Sequence, residues 1–318
     1  MNTLYLTSGR YACVLGLKNL GLKNGDKILL PEYICSTLVD KIKENNFSIK
    51  YYSINSNFEP NWKSISHKFE KKVKAIIMVN YFGQPKDISK FLQFCKKKKI
   101  YLVEDNSHGF GNRYKGKLLG TFGDIGFSSP YKKIPNLISG GVLYSKRKLN
   151  KRLFKPKYQP NLVDYVKIFL KINLSGLKKI KFYFSNNDYL NPYLRFDSNI
   201  VDGLIDNYSY RKIIKTNILK INANLINNYK IQANFLKKIP LKFKLIQNKN
   251  VPWKLVIMTN NEKTSSKIIS LGKKYKILIS TWPTLPFSLI KNNSRLISLW
   301  KKILVISIDH SYISSKKR

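Results

Sequence analysis

Residues 100–129 read IYLVEDNSHGFGNRYKGKLLGTFGDIGFSS. Ile100 to Val103 form a short apolar run that reads as a buried strand, and the run passes directly into Glu104 and Asp105. A second strand begins at Ile125 to Phe127 and is followed by another polar cluster, Ser128 to Lys133. Working outward, Ala75 to Val79 (AIIMV) is a further strand, and Asp87 to Lys98 is an amphipathic helix. Lys27 to Leu30 (KILL) is a strand ended by Pro31, and residues 10–20 (RYACVLGLKNL) have helical periodicity with Gly21 as a C-cap. Strands alternating with helices predict an α/β fold with a mostly parallel sheet covered on both faces. Ligands bind such sheets at the carboxyl ends of the strands. The polar clusters fall there: Ser8-Gly9-Arg10, Glu104 to His108, and Ser128 to Lys133.

The pattern changes after residue 150. Residues 151–205 are irregular, with prolines and aromatics. Tyr208 to Leu236 reads as one long helix, followed by a strand at Lys254 to Met258, a helix at Lys263 to Lys274 and a strand at Ile277 to Ser280. The chain of 318 residues thus divides into a large unit, 1–205, and a smaller α/β unit, 206–318.

Composition excludes several classes. Three cysteines without paired spacing argue against a disulfide scaffold and for a reducing, cytoplasmic setting. With three histidines in all, a His/Cys metal site is not expected. No secretory leader and no membrane-spanning run is visible. Tyr165 to Phe184 is apolar but interrupted by lysines, and it is expected to pack against the body of the protein rather than lie on a membrane. The net charge of +42 raises the reading of a basic nucleic-acid-binding protein. The lysines are spread along the chain beside abundant Asn and Ile, and no nucleic-acid-binding motif accompanies them, so compositional drift is the favoured reading.

The three clusters suggest a shared chemistry. Ser8-Gly9-Arg10 at a helix start suits a phosphate. A carboxylate at Asp105 needs a cationic partner or several N–H donors. A lysine on a loop after another strand can form a Schiff base once desolvation lowers its pKa. Together they fit pyridoxal phosphate, with Lys at the aldehyde carbon, Asp at the pyridinium and the cradle at the phosphate.

Three segments strengthen this. Residues 8–37, SGRYACVLGLKNLGLKNGDKILLPEYICST, KAIIMVNYFGQPKDI at 74–88, and the 100–129 stretch keep the order and spacing of the DegT/DnrJ/StrS sugar aminotransferase family, which the chain resembles clearly over residues 5–145. The acid, the H/Q position, Tyr114-Lys115-Gly116 and Gly123-Asp124-Ile125 all keep their places. The resemblance implies a pyridoxal-phosphate transferase of fold type I, acting on nucleotide-diphosphate keto sugars with glutamate or glutamine as amino donor, usually as a homodimer with the active site at the subunit interface. It places Asp105 at the pyridine nitrogen, His108 beside the ring, and Ser8, Gly9 and Arg10 on the phosphate with help from Ser128 or Ser129. Tyr33 or Cys35 falls near the ring-facing position.

For the covalent lysine, counting back from Gly140-Gly141 in the usual family loop selects Lys133. Counting forward from Asp124, as in relatives with a shorter SPYK-like loop, selects Lys132. The segment leaving the strand is continuous, and Asn136 to Ser139 can absorb an insertion at small entropic cost, so Lys132 is selected. Lys133 is then expected to face solvent or an anionic substrate group. Ile138-Ser139 replaces the Gly-Glu of the family's G-E-G-G, and Arg10-Tyr11-Ala12 follows Gly9 where G-T-A-A is usual. The family's opening segment of some tens of residues precedes the first match, whereas this sequence begins almost at it, so an abbreviated substrate pocket is expected. These departures keep open a second reading, a pyridoxal-phosphate-binding relative with altered or lost chemistry.

Overall fold

The computed structural model describes residues 1–173, 190–192, 200–246, 250–275 and 277–308. In chain order its first strands are β1 (Asn2–Leu6), β2 (Lys27–Pro31), β3 (Ser48–Tyr52), β4 (Val73–Val79) and β5 (Tyr101–Asp105). A small hairpin of β6 (Arg113–Tyr114) and β7 (Lys117–Leu118) follows, then β8 (Ile125–Ser128) and β9 (Gly141–Ser145). Seven of these form one sheet in the order β1-β9-β8-β5-β4-β2-β3. The five strands from β8 to β3 are parallel, and β9 lies antiparallel between β1 and β8. This is the expected mostly parallel α/β arrangement.

Successive strand residues point to opposite faces. Ile28, Leu29 and Leu30 on β2, Ile76, Ile77 and Met78 on β4, and Leu102 and Val103 on β5 are all fully buried, so both faces are covered. Each such side chain contributes about 1.5–3 kcal/mol on burial. β1 runs in the same direction as β5 and β8, because two antiparallel pairings separate it from β8. The carboxyl ends of these three strands therefore share one edge of the sheet. Ser8 starts the helix Gly9–Asn19 there, its hydroxyl accepting the Tyr11 N–H at 3.2 Å. Gly21, at φ 88°, follows the end of that helix in the left-handed conformation expected of it.

A second sheet contains β10 (Phe243–Leu245), β11 (Leu255–Thr259), β12 (Ile279–Thr281) and β13 (Ile303–Ile306), in the order β10-β11-β13-β12, with every pairing antiparallel. Leu255 and Ile257 of β11 join Leu225, Leu236 and Ile268 in a core of their own. Val256, on the other face, belongs with Leu285, Leu296, Trp300 and Ile303 to the core of the large sheet. The two sheets are thus joined by continuous apolar packing.

The periodicity over Tyr208 to Leu236 predicts one helix, but the structure has two, Asn207–Lys215 and Ile218–Lys237. Thr216 is extended and its hydroxyl donates to the Lys212 carbonyl at 2.6 Å, while Asn217 accepts the Lys220 N–H at 3.0 Å. These local side-chain bonds compete with a continuous helix and start a new one. The stretch Tyr165 to Phe184 also differs from expectation. Its described part lies in the helix Leu162–Asn173, which leaves most of its apolar side chains exposed rather than packed on the body. Residues 174–184 lie outside the described residues, as do Asp309 and His310.

Candidate active site

The polar ends of β1, β5 and β8 meet around a cavity of about 180 Å³. One wall is the start of the helix Gly9–Asn19, where Ser8, Gly9 and Arg10 line the space. N–H groups in the first turn of a helix have no intrahelical acceptor and favour an anion. The approach is close: a Cβ on Gly9 would stand against Ser129 Oγ, and one on Gly141 would strike the Ser8 carbonyl. Glycine at both positions lets β8, β9 and the helix start come together, so that Ser129 joins the lining. Ser128 does not. It is fully buried, and its Oγ accepts from Asn106 Nδ2 at 3.3 Å.

Asp105, the last residue of β5, lines the cavity and is buried. Its Oδ1 accepts the Ser107 N–H at 2.9 Å. Burial raises its pKa, opposed by the Ser107 hydrogen bonds and the positive charge of Lys132. The two-residue period of the strand sends Glu104 to a different environment. Its carboxylate accepts from Asn80 Nδ2 at 2.8 Å and from the Phe122 N–H at 2.9 Å, and it is fully buried away from the cavity. The two adjacent acids are therefore a site residue and a structural one.

His108 lines the cavity with 2% of its surface exposed. Its Nδ1 accepts the Phe82 N–H at 3.2 Å, which places the proton of the neutral ring on Nε2. Burial, then the charge of Lys132, hold its pKa well below the usual histidine value. Nε2 is buried without a hydrogen-bond partner among the described residues. Trp253 stacks on the ring at 4.0 Å and Trp282 meets it edge-on at 4.5 Å.

The two lysines part company within the turn that follows β8. Lys132 lines the cavity, with its ammonium 5.3 Å from the Trp253 ring centre and 5.6 Å from that of Trp282. Lys133 turns into the protein. Its Nζ donates to Asn112 Oδ1 at 2.5 Å and to Asn222 Oδ1 at 3.0 Å, and burial draws its pKa down to about 7. This corrects the expectation that Lys133 faces solvent or substrate: two amide acceptors make its burial tolerable.

Tyr33 and Cys35 both line the cavity. The Tyr33 hydroxyl donates to the Trp282 carbonyl, and Cys35 Sγ lies 3.1 Å from Thr37 Oγ1. The sequence alone does not single out Trp253, Trp282, Asn112 or Asn222. Two of the chain's four tryptophans meeting at Lys132 is the one compositional hint. The asparagines have no such signal in a chain so rich in Asn.

Residues 2–154 match the profile of the DegT/DnrJ/EryC1/StrS aminotransferase family. GDP-perosamine synthase of Escherichia coli O157:H7 is 33% identical over 121 residues, covering 38% of this chain and 33% of that protein. GDP-4-keto-6-deoxy-D-mannose 3-dehydratase of Yersinia pseudotuberculosis is 27% identical over 134 residues, covering 42% of this chain and 34% of that protein. The matched stretch thus spans about a third of the length of these curated relatives. Among solved structures, Helicobacter pylori PseC, an aminotransferase involved in the biosynthesis of pseudoaminic acid, superposes with a TM-score of 0.69 at 13% identity, covering 99% of this chain and 84% of PseC. The fold is that of the fold type I pyridoxal-phosphate transferases. Over residues 2–154, just under half of its length, the chain is similar to the DegT/DnrJ/EryC1/StrS aminotransferase family.

Proposed function

We propose that this chain is a pyridoxal-phosphate-dependent aminotransferase that moves an amino group from glutamate or glutamine to a nucleotide-diphosphate keto sugar. The observation that carries the reading is the convergence of Lys132 and Asp105 on one cavity walled by the helix start at Ser8 to Arg10. The donor set fits the cofactor: an anion cradle kept open by Gly9, a buried carboxylate, and an amine, all lining the same cavity. The sugar-nucleotide class is supported by the GDP-perosamine synthases among the matched relatives.

Bound pyridoxal phosphate supplies an electron sink for amino-group exchange. The N–H groups of Gly9 and Arg10, with Ser129 Oγ, would hold its phosphate. Ser8 Oγ accepts from Tyr11 and, as a hydroxyl, keeps a proton to donate to a phosphate oxygen. Asp105 would hold the positive charge at the ring nitrogen, and a cation there lowers its pKa again. His108, neutral with its proton on Nε2, would stand beside the ring as a donor. Lys132 Nζ would bind the cofactor covalently and, once released, take the proton from the donor's Cα. Trp282, lining the cavity beside Lys132, would exclude water.

Residues 1–205 would form the cofactor-binding unit and 206–318 the small unit of a cytoplasmic homodimer. A purified sample should show the visible absorbance of bound cofactor, and glutamate should bleach it as the amino group is taken up. Cofactor binding without a response to glutamate or glutamine would reject the aminotransferase reading. It would favour altered chemistry instead, a reading supported by the 3-dehydratase among the matched relatives.

A further inference from the structure

The helix Leu162–Asn173 turns an apolar face to solvent. Leu162 is 78% exposed, Val163 55%, Val166 45%, Phe169 62%, Leu170 43% and Ile172 51%. At about 100° per residue these six cover roughly half the helix circumference. Ile168, 6% exposed, anchors the other side, where the Asp164 carboxylate accepts from the Tyr158 hydroxyl at 2.6 Å. Lone exposed apolar side chains are ordinary, whereas a contiguous face marks an interaction surface. Its border is basic. Lys167 is exposed on the same helix, and Tyr165 lies edge-on to Tyr208 over a shallow basin that includes Arg211, Lys212 and Lys215.

We propose that this face docks on the surface of a bilayer rich in anionic phospholipid. The six apolar side chains enter the boundary between headgroups and acyl chains, and the basic border meets lipid phosphates. Charge complementarity selects this occupant, since the face is bordered by cations on a chain of net charge +42. Nucleic acid would satisfy the cations and leave the apolar face wet. A symmetric contact with a second copy would bring two like-charged borders together. Among the described residues no helix is long and apolar enough to cross a bilayer, and a helix with one apolar face suits the interface.

The test is sedimentation of the full chain with vesicles of phosphatidylglycerol and phosphatidylcholine, against vesicles of phosphatidylcholine alone. Binding is expected to the anionic vesicles and to weaken with salt. Phe169→Asp should lower vesicle affinity about ten-fold or more at an unchanged thermal midpoint. Leu162→Ser, at the most exposed of these positions, should show a smaller loss and serves if the first variant unfolds. The double variant Arg211→Gln, Lys215→Gln should weaken binding and flatten its salt dependence. Failure to bind anionic vesicles would overturn the proposal, and so would undiminished binding by folded Phe169→Asp. A Phe169→Asp chain that changes oligomeric state while binding vesicles like the parent would make the face a contact between copies and overturn it equally.

Discussion

A lysine at 8% exposure whose hydrogen bonds among the described residues go to amide oxygens, as those of Lys133 do, gives up charge more readily than one in water. Its pKa falls from the ordinary 10.5 to about 7 in the folded chain. Above pH 10.5 both folded and unfolded states hold it neutral, and below about 7 both hold it charged. Between these limits the unfolded state binds the extra proton, so stability rises with pH across that window. Relative to Lys133→Met, the parent should gain a few kcal/mol, on the order of the shift itself, from about pH 7 to 10.5. Urea unfolding at a series of pH values measures this, and a pH-independent difference would refute it. Lys132 instead lines the cavity, as Asp105 does. Asp105→Asn should leave the fold intact and lower transamination about 100-fold or more, because an amide cannot hold a positive charge at the cofactor's ring nitrogen. Turnover at the parent's rate would remove Asp105 from the mechanism. The sequence made Asp105 and His108 legible because they stand at the end of an apolar strand. It could not show the burial of Lys133, whose partners Asn112 and Asn222 are distant in the chain.

Asp206 shows how an element is tied to the site. One of its oxygens caps the helix Asn207–Lys215 through the Ser209 N–H at 2.7 Å, and the other accepts from Ser139 Oγ. Ser209 Oγ in turn accepts the N–H groups of Ile138 and Ser139, fastening the segment that follows the lysines to this helix. Asp206→Ala removes a cap and leaves a buried hydroxyl unpaired, and should cost about 2–3 kcal/mol. Denaturant unfolding checks this, and a loss within a few tenths of a kcal/mol would mean the latch is not formed. Strands β2, β4 and β5 could be read from sequence as unbroken apolar runs, a consequence of burial on both faces. β3, with the sequence SIKYY, lies at the sheet's edge and is half-exposed, so no such run marks it. β9 is a short strand beginning on the second of two glycines, and its position between β1 and β8 is a tertiary choice. The break at Thr216 is not marked in the sequence because apolar residues continue on both sides of it, at Ile213, Ile214, Ile218 and Ile221.

At the scale of the molecule, a charge of +42 attracts polyanions without selecting among them. Any DNA binding should be sequence-independent and fall steeply with salt as counterions are released. Titration at two salt concentrations measures it, and sequence-selective binding at physiological salt would return nucleic acid to the functional reading. The large sheet and its ligand edge were legible because an α/β alternation dictates where a site lies. The tryptophans that meet at Lys132 come from beyond residue 250, where the resemblance is faint and only the folded chain brings them in. Borohydride reduction of the holoenzyme followed by peptide mapping identifies the lysine that holds the cofactor. A pyridoxyl label on Lys132 with Lys133 unmodified is expected; a label on Lys133, or on neither lysine, would remove Lys132 from that role.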